Sequence, residues 1–342
     1  MANSSQRGYN QQPALKPKDN LEAGILGYKS SQVTSVSGFE NESTKTAFIY
    51  NQAGAGYSLY ADGKLNQLFD FSGVHSYADR CLWQQIEKEL INLRETGATT
   101  VKILDAGCGP GVWLRRIIIR AGDLGFTKIE ARGFDIAREQ VRRARFLSKD
   151  LELISGVSVK YDTADLTKTL PEQDASIDIT ICLYSVLCHI PVSDLAGVIA
   201  ELARVTRGAI ITTVRPTKSL PTVFVESIDK ATNFKNCQDS SSLEVSLSDG
   251  RRFTLDVHLF EAKELKELFS KHFAITNMVG LDLFHSRFSP DPRWASQKPE
   301  KETMFLEHML RLEEVFAADQ DFLEYATHLL LVGKKRSETR PH

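Results

Sequence analysis

Cysteine is scarce and unpatterned in this chain of 342 residues. Cys81, Cys108, Cys182, Cys188 and Cys237 are odd in number and none stands three positions from another, so neither a disulfide framework nor a zinc cage is indicated. Reduced thiols in a cytoplasmic protein are the expectation. Long apolar runs are missing as well. Nothing approaches the ~18 consecutive apolar residues a bilayer span needs, and the start MANSSQRGYNQQ lacks the charged-then-apolar plan of a secretory signal, so no membrane partner is expected. The third absence is an excess of one charge. With 42 Lys+Arg against 44 Asp+Glu the net charge is -2, whereas domains that hold nucleic acid through its phosphates carry a clear basic excess. That balance argues against a nucleic-acid partner. Hydrophobic residues at 42% and charged residues at 25% are close to the globular norm, which removes collagen-like, coiled-coil and wholly disordered classes.

What is present divides the chain into unequal parts. Residues 1–45 are rich in Ser, Gln, Asn, Gly and Lys without periodicity and read as a flexible arm. Residues 46–75 turn aromatic, with Phe48, Tyr50, Tyr57, Tyr60, Phe69 and Phe71 among several glycines, and read as a lid segment packing over something else. The main domain is expected over 76–335, with insertions at about 216–258 and 284–316 and a polar tail at 336–342. Its first helix sets Leu82, Ile86, Leu90 and Leu93 at helical spacing, between a capping Ser76 and a stop at Gly97.

From residue 101 the pattern alternates. VKILDA is a strand, VWLRRIIIRAG a helix closed by Gly122, IEARGFD a strand, 137–150 a helix, VSVKYD a strand, IDITICLY a buried strand, 192–205 a helix capped by Ser193, and GAIITTV a strand. Such repetition predicts an α/β fold with a mostly parallel sheet and helices on both faces. A polar stretch follows, with a hairpin expected at Ser248-Asp249-Gly250. After it come a helix over 260–273, a strand AITNMVGLDLF, a helix from Glu302 to about Phe316, and a last strand THLLLVGKK.

The segment VKILDAGCGPGVW carries the chemistry. A strand ending at Asp105 runs into Gly107, Gly109 and Gly111 and then a helix, so a ligand can approach bare backbone at the sheet's C-terminal edge. A second strand ends in Asp135, at the distance from which a carboxylate binds ribose hydroxyls. A nucleoside ligand follows. A dinucleotide fingerprint needs a small residue where this chain has Val112, and it would set a pyrophosphate beside the Asp105 carboxylate. A ligand that brings positive charge suits Asp105 better.

On these residues the chain resembles class I S-adenosylmethionine-dependent methyltransferases, whose first motif is an acidic residue followed by x-G-x-G-x-G. The resemblance runs from about 101 to 214. It implies a Rossmann-like sheet of seven strands with an antiparallel last strand, S-adenosylmethionine as cofactor and S-adenosylhomocysteine as product. It further implies cofactor contacts from Asp105, Gly107, Gly109, Gly111, from Asp135 and Ile136 at the ribose, from Asp165 and Leu166 at the adenine, and from Leu183 at the fourth strand's exit. No metal is expected.

Methyl transfer from a sulfonium is an in-line displacement that depends on alignment, with a base needed only if the nucleophile arrives protonated. His189 in SVLCHIP, at the exit of the fourth strand, is the candidate base, with a turn or core histidine as the plainer reading. Tyr50, Tyr57 and Tyr60 are candidates to cover the substrate. Arg215 is a candidate for a substrate carboxylate or phosphate, a surface charge being the plainer reading. Trp113 borders either the pocket or the helix core, while His258 and His285 read as plain surface residues. Arg138, Arg142 and Arg145, at i, i+4 and i+7, look like an RNA-facing stripe but read as a solvated helix face. The segment CLYSVLCHIP lacks the DPPY-like signature of DNA amino-methyltransferases, and neither paired glutamates nor a carboxylate cluster marks a protein-arginine or catechol enzyme. The expected acceptor is therefore the oxygen or nitrogen of a small molecule. A non-catalytic S-adenosylmethionine-binding protein and an RNA or protein methyltransferase are the alternatives; a nucleotide-dependent oxidoreductase is the weakest.

Overall fold

A computed structural model describes residues 39–62, 68–71, 76–219, 231–237, 240–247, 250–285 and 299–336. All of them fall in the unit Thr34–His342. In chain order, helices α1 (Glu42–Asp62) and α2 (Ser76–Glu95) precede β1 (Thr100–Ala106), α3 (Val112–Asp123), β2 (Lys128–Asp135) and α4 (Arg138–Leu147). Next come β3 (Val157–Thr163), β4 (Ile177–Cys182), α5 (Val192–Val205) and β5 (Thr206–Val214). The remainder is β6 (Ala231–Cys237), β7 (Ser242–Leu247), β8 (Arg252–Asp256), α6 (Ala262–Ser270), β9 (Phe273–Leu281), α7 (Pro299–Phe316) and β10 (His328–Lys335).

Seven strands form one sheet in the order β3-β2-β1-β4-β5-β10-β9, with β10 antiparallel to both neighbours. This is the Rossmann-like arrangement expected from the sequence. The order reverses between β1 and β4, which opens a crevice at the C-terminal edge. Alternation along the strands loads both faces. Ile103, Ile179, Ile181 and Ile211 pack with Leu82, Ile86 and Leu90 of α2 and Ile117 of α3. Leu104, Cys182 and Ile210 pack on the other side with Leu195, Ile199 and Leu202 of α5 and Phe269 of α6.

Strands β6, β7 and β8 form a separate antiparallel sheet inside the first expected insertion. Leu243, Val245, Phe253 and Leu255 join it to the core on the α5 side. Of the hairpin expected between β7 and β8, positions 248–249 lie outside the described residues, as do 1–38 of the arm and 337–342 of the tail.

Several boundaries are corrected. The arm expected to run to residue 45 gives way to α1 at Glu42, and 46–62 is helix. Asn41 Oδ1 accepts the Thr44 N–H at 2.9 Å and caps its start. The sequence concealed α1 because its polar and apolar residues are hardly segregated. The helix is held by contacts from outside: Ile49 is fully buried, Phe48 meets Phe253 of β8 edge-on at 5.7 Å, and Asn51 Oδ1 accepts the Glu139 N–H of α4 at 2.8 Å. Helix α3 passes through Gly122 to Asp123, and the left-handed residue after it is Gly125 at φ +85°. Helix α5 starts behind Pro191, with Ser193 inside its first turn.

The loop leaving β9 is fixed from α7. Glu313 is fully buried, and its carboxylate accepts the N–H groups of Leu283, Phe284 and His285 at 3.0, 2.6 and 2.8 Å. Glu313→Ala leaves three amide donors without that acceptor and is expected to cost about 3 kcal/mol or more in denaturant unfolding. A loss below ~1 kcal/mol would show that the clasp is replaceable by water.

Candidate active site

Three glycines carry the chain from β1 into α3, at φ +84°, +51° and +82° for Gly107, Gly109 and Gly111. Their reasons differ. A Cβ on Gly107 would lie 2.3 Å from the Val186 side chain and one on Gly111 2.9 Å from the Tyr161 ring, whereas one on Gly109 would meet nothing within 4 Å. The outer two are packing glycines, and the middle one exposes backbone to open space. The loop is tied across the sheet. Gly107 and Cys108 both donate to the Phe134 carbonyl at 2.8 and 2.9 Å. Asp135 Oδ2 accepts the Gly109 N–H at 2.9 Å, and its Oδ1 accepts the Ala137 N–H at 2.8 Å.

Below the loop lies Asp105, a buried carboxylate whose Oδ2 has no hydrogen-bond partner among the described residues. Burial, and then the neighbouring Asp135, push its pKa well above the ordinary carboxylate value. Burial raises Asp135 too, against the N–H groups of Ala137 and Gly109, which favour its charged form. A buried and a half-buried carboxylate at the crevice of the sheet suit a cationic ligand and repel a pyrophosphate.

The fold and this loop agree with the family comparison, in which residues 103–208 match a model described as a methyltransferase domain. Over those residues, less than a third of its length, the chain is similar to methyltransferase domains. No curated protein matches the sequence. Among solved structures, the chain is similar to magnesium protoporphyrin IX methyltransferase from Synechocystis, at 14% identity and TM-score 0.47 over 88% of this chain and 99% of that one. A second is an S-adenosylmethionine-dependent methyltransferase from Clostridium acetobutylicum, at 13% identity and TM-score 0.48 over 87% and 100%. A third is geranyl diphosphate C-methyltransferase from Streptomyces coelicolor, at 14% identity and TM-score 0.45 over 86% and 98%. At these scores the likenesses add nothing to what the sheet order shows.

Within the matched segment, the exit of β4 is strained. Tyr184 and Ser185 are consecutive left-handed residues, at φ +53° and +69°, held by Thr213 of β5, whose Oγ1 accepts the Tyr184 N–H at 2.6 Å and whose carbonyl accepts that of Ser185 at 3.1 Å. Such backbone costs on the order of 1–3 kcal/mol per residue and persists where a site needs it. The Tyr184 hydroxyl donates to Asp79 of α2, and its ring lies 6.2 Å from Trp113 and 5.7 Å from His328. Sequence reading missed Tyr184 and Asp79. Only the position of Tyr184, directly after a strand aimed at the crevice, could have signalled it.

Beyond this strained pair the turn reaches His189. Its Nε2 lies 3.0 Å from the Tyr50 hydroxyl of α1, and the two rings meet edge-on at 5.5 Å. Burial lowers its pKa to about 4, so the imidazole is neutral at neutral pH. Tyr57 and Tyr60 fall on α1, but their side chains lie outside the described residues. Asp165 stands beyond the exit of β3, where its Oδ1 accepts the N–H and hydroxyl of Thr167 at 2.9 and 2.8 Å. Leu166 and Leu183 are buried in the two apolar clusters, and Ile136 is partly exposed beside Asp135.

Three surface readings are overturned by packing. Arg215 is only 4% exposed, because the β5 exit is covered by the 257–260 segment, whose Phe260 N–H donates to the Arg215 carbonyl at 2.9 Å. His285 is buried through the Glu313 clasp, 6.2 Å from the Tyr77 ring. His258 is partly buried, with Nε2 2.9 Å from Glu264 Oε1 and its N–H on the Cys188 carbonyl at 2.7 Å. Trp113 is buried under the Arg116 guanidinium at 4.7 Å, in the apolar core. Among the described residues no group of three or more His, Cys, Asp or Glu is placed to hold a metal.

Asp135→Ala is expected to weaken S-adenosylmethionine binding more than tenfold, since hydrogen bonds to a charged group contribute about 1.5–3 kcal/mol each. Unchanged affinity by calorimetry would defeat the ribose assignment.

Proposed function

We propose that this protein transfers a methyl group from S-adenosylmethionine to an oxygen or nitrogen of a small-molecule acceptor, with Tyr50 and His189 removing the acceptor's proton. The observation that carries the reading is the 3.0 Å contact between them, which joins an amino-terminal helix to the β4 exit across 139 positions of sequence. Asp135 and Ile136 would hold the ribose, Asp165 and Leu166 the adenine, and Asp105 with the glycine loop the cationic methionine end. Bound there, the donor supplies an electrophilic methyl group on a sulfonium.

The Tyr50–His189 pair can relay a proton without bringing the imidazole itself to the acceptor. A tyrosine hydroxyl both donates and accepts. With Tyr50 donating to Nε2, its oxygen accepts the acceptor's O–H or N–H; as the new bond to carbon forms, that proton moves to Tyr50 and the Tyr50 proton to Nε2. A buried imidazole resists protonation. With a donor that loses its positive charge on transfer, the imidazole would take that proton with no net gain of charge in the site.

Segments 46–75, 216–258 and 284–316 would shape the acceptor pocket, because they are additions to the minimal sheet at its C-terminal edge. Arg215, buried at that edge, would face a substrate carboxylate or phosphate. Nucleic acid is not the proposed acceptor, given the net charge of -2. The free thiols of Cys81, Cys108, Cys182 and Cys188 support a reducing compartment, the cytoplasm.

The test starts from labelled S-adenosylmethionine and fractionated cell extract, with mass identification of whatever gains a methyl group. His189→Ala and Tyr50→Phe should each lower kcat about a hundredfold with donor affinity retained. The wild-type rate should hold through neutral pH and fall as pH drops through about 4, where His189 takes its proton. An undiminished rate in either variant removes the relay. Donor binding without S-adenosylhomocysteine release on any acceptor would make the chain a non-catalytic binding protein.

A further inference from the structure

The arginines of α4 remain outside this account. Arg138 and Arg142 are exposed on its outer side, Arg142 at 72% and paired with Glu139, while Arg145 is anchored on the Tyr161 carbonyl at 2.9 Å. The structure adds apolar neighbours that a solvated face would not have. Phe146 is 66% exposed, Leu153 86% and Ile154 47%, all within nine residues of sequence, and Lys149 lies over the Phe146 ring at 5.5 Å. Between residues 138 and 154 the acids are Glu139, Asp150 and Glu152. The first is paired with Arg142 and the second with Arg115 of α3, so the exposed Arg138, Arg145 and Lys149 stand against Glu152.

From this combination we infer that the outer face of α4 and the turn after it dock on an anionic lipid surface. Projecting apolar side chains among basic residues match the boundary between headgroups and acyl chains, with the bases at the lipid phosphates. An RNA would leave Leu153 and Ile154 without a use. A second copy meeting the patch across a two-fold axis would set its basic residues against themselves. No described helix is long and apolar enough to cross a membrane, and docking of this kind needs none. The inference does not rest on the methyltransferase reading.

The experiment is co-sedimentation of the full chain with phosphatidylcholine vesicles, with and without phosphatidylserine. Binding is expected only with phosphatidylserine and should weaken with added salt. Leu153→Asp should weaken it about tenfold and Lys149→Glu about fivefold, both with thermal stability and S-adenosylmethionine affinity unchanged. Equal binding to neutral vesicles, no binding to either, or indifference to Leu153→Asp overturns the proposal. So does a dimer that Leu153→Asp dissociates, or RNA retention without vesicle binding.

Discussion

The Asp135 carboxylate is the fastening on which the rest of the site depends. One oxygen holds the Gly109 N–H and the other the Ala137 N–H, so the glycine loop after β1 and the start of α4 after β2 are fixed to a single group. Burial works against its charge, and the two amides oppose that effect. The fastening also explains why the loop can stay open at Gly109. Gly107 is pressed on Val186 and Gly111 on Tyr161, while the backbone between them is held from below and left bare above.

Around this fastening, parts distant in sequence converge on one edge of the sheet. Thr213 of β5 stabilises the left-handed pair Tyr184-Ser185, Asp79 of α2 takes the Tyr184 hydroxyl, and Tyr50 of α1 reaches His189. Helix α1 makes this possible because it is gripped on two sides, by α4 through Asn51 and by the small sheet through Phe48 on Phe253. The first insertion thus contributes a wall against which the amino-terminal helix is held over the β4 exit.

The strand order and the glycine loop were legible because each lies in a short segment whose local pattern and chemistry agree. Leu82, Ile86 and Leu90 at helical spacing are fully buried on α2. Helix α1 was not legible, since its stability comes from tertiary contacts and its own residues are poorly segregated. Nor could a sequence reveal that Arg215 and His285 are buried, because what covers them is the 257–260 segment in one case and the Glu313 clasp in the other. The pairing of Tyr50 with His189 was visible only as two separate candidates.

The two neighbouring acids also constrain what can occupy the crevice. Burial and the neighbouring Asp135 raise the cost of charge on Asp105, and its oxygen without a partner has no described cation to offset it. The proposed donor, which brings an ammonium and a sulfonium, would lower that cost, so its binding and the ionisation of Asp105 would be coupled. On that reading a product that has lost the sulfonium charge but kept the ammonium would be attracted to Asp105 less than the donor, so the carboxylate that would favour loading the site would also favour release.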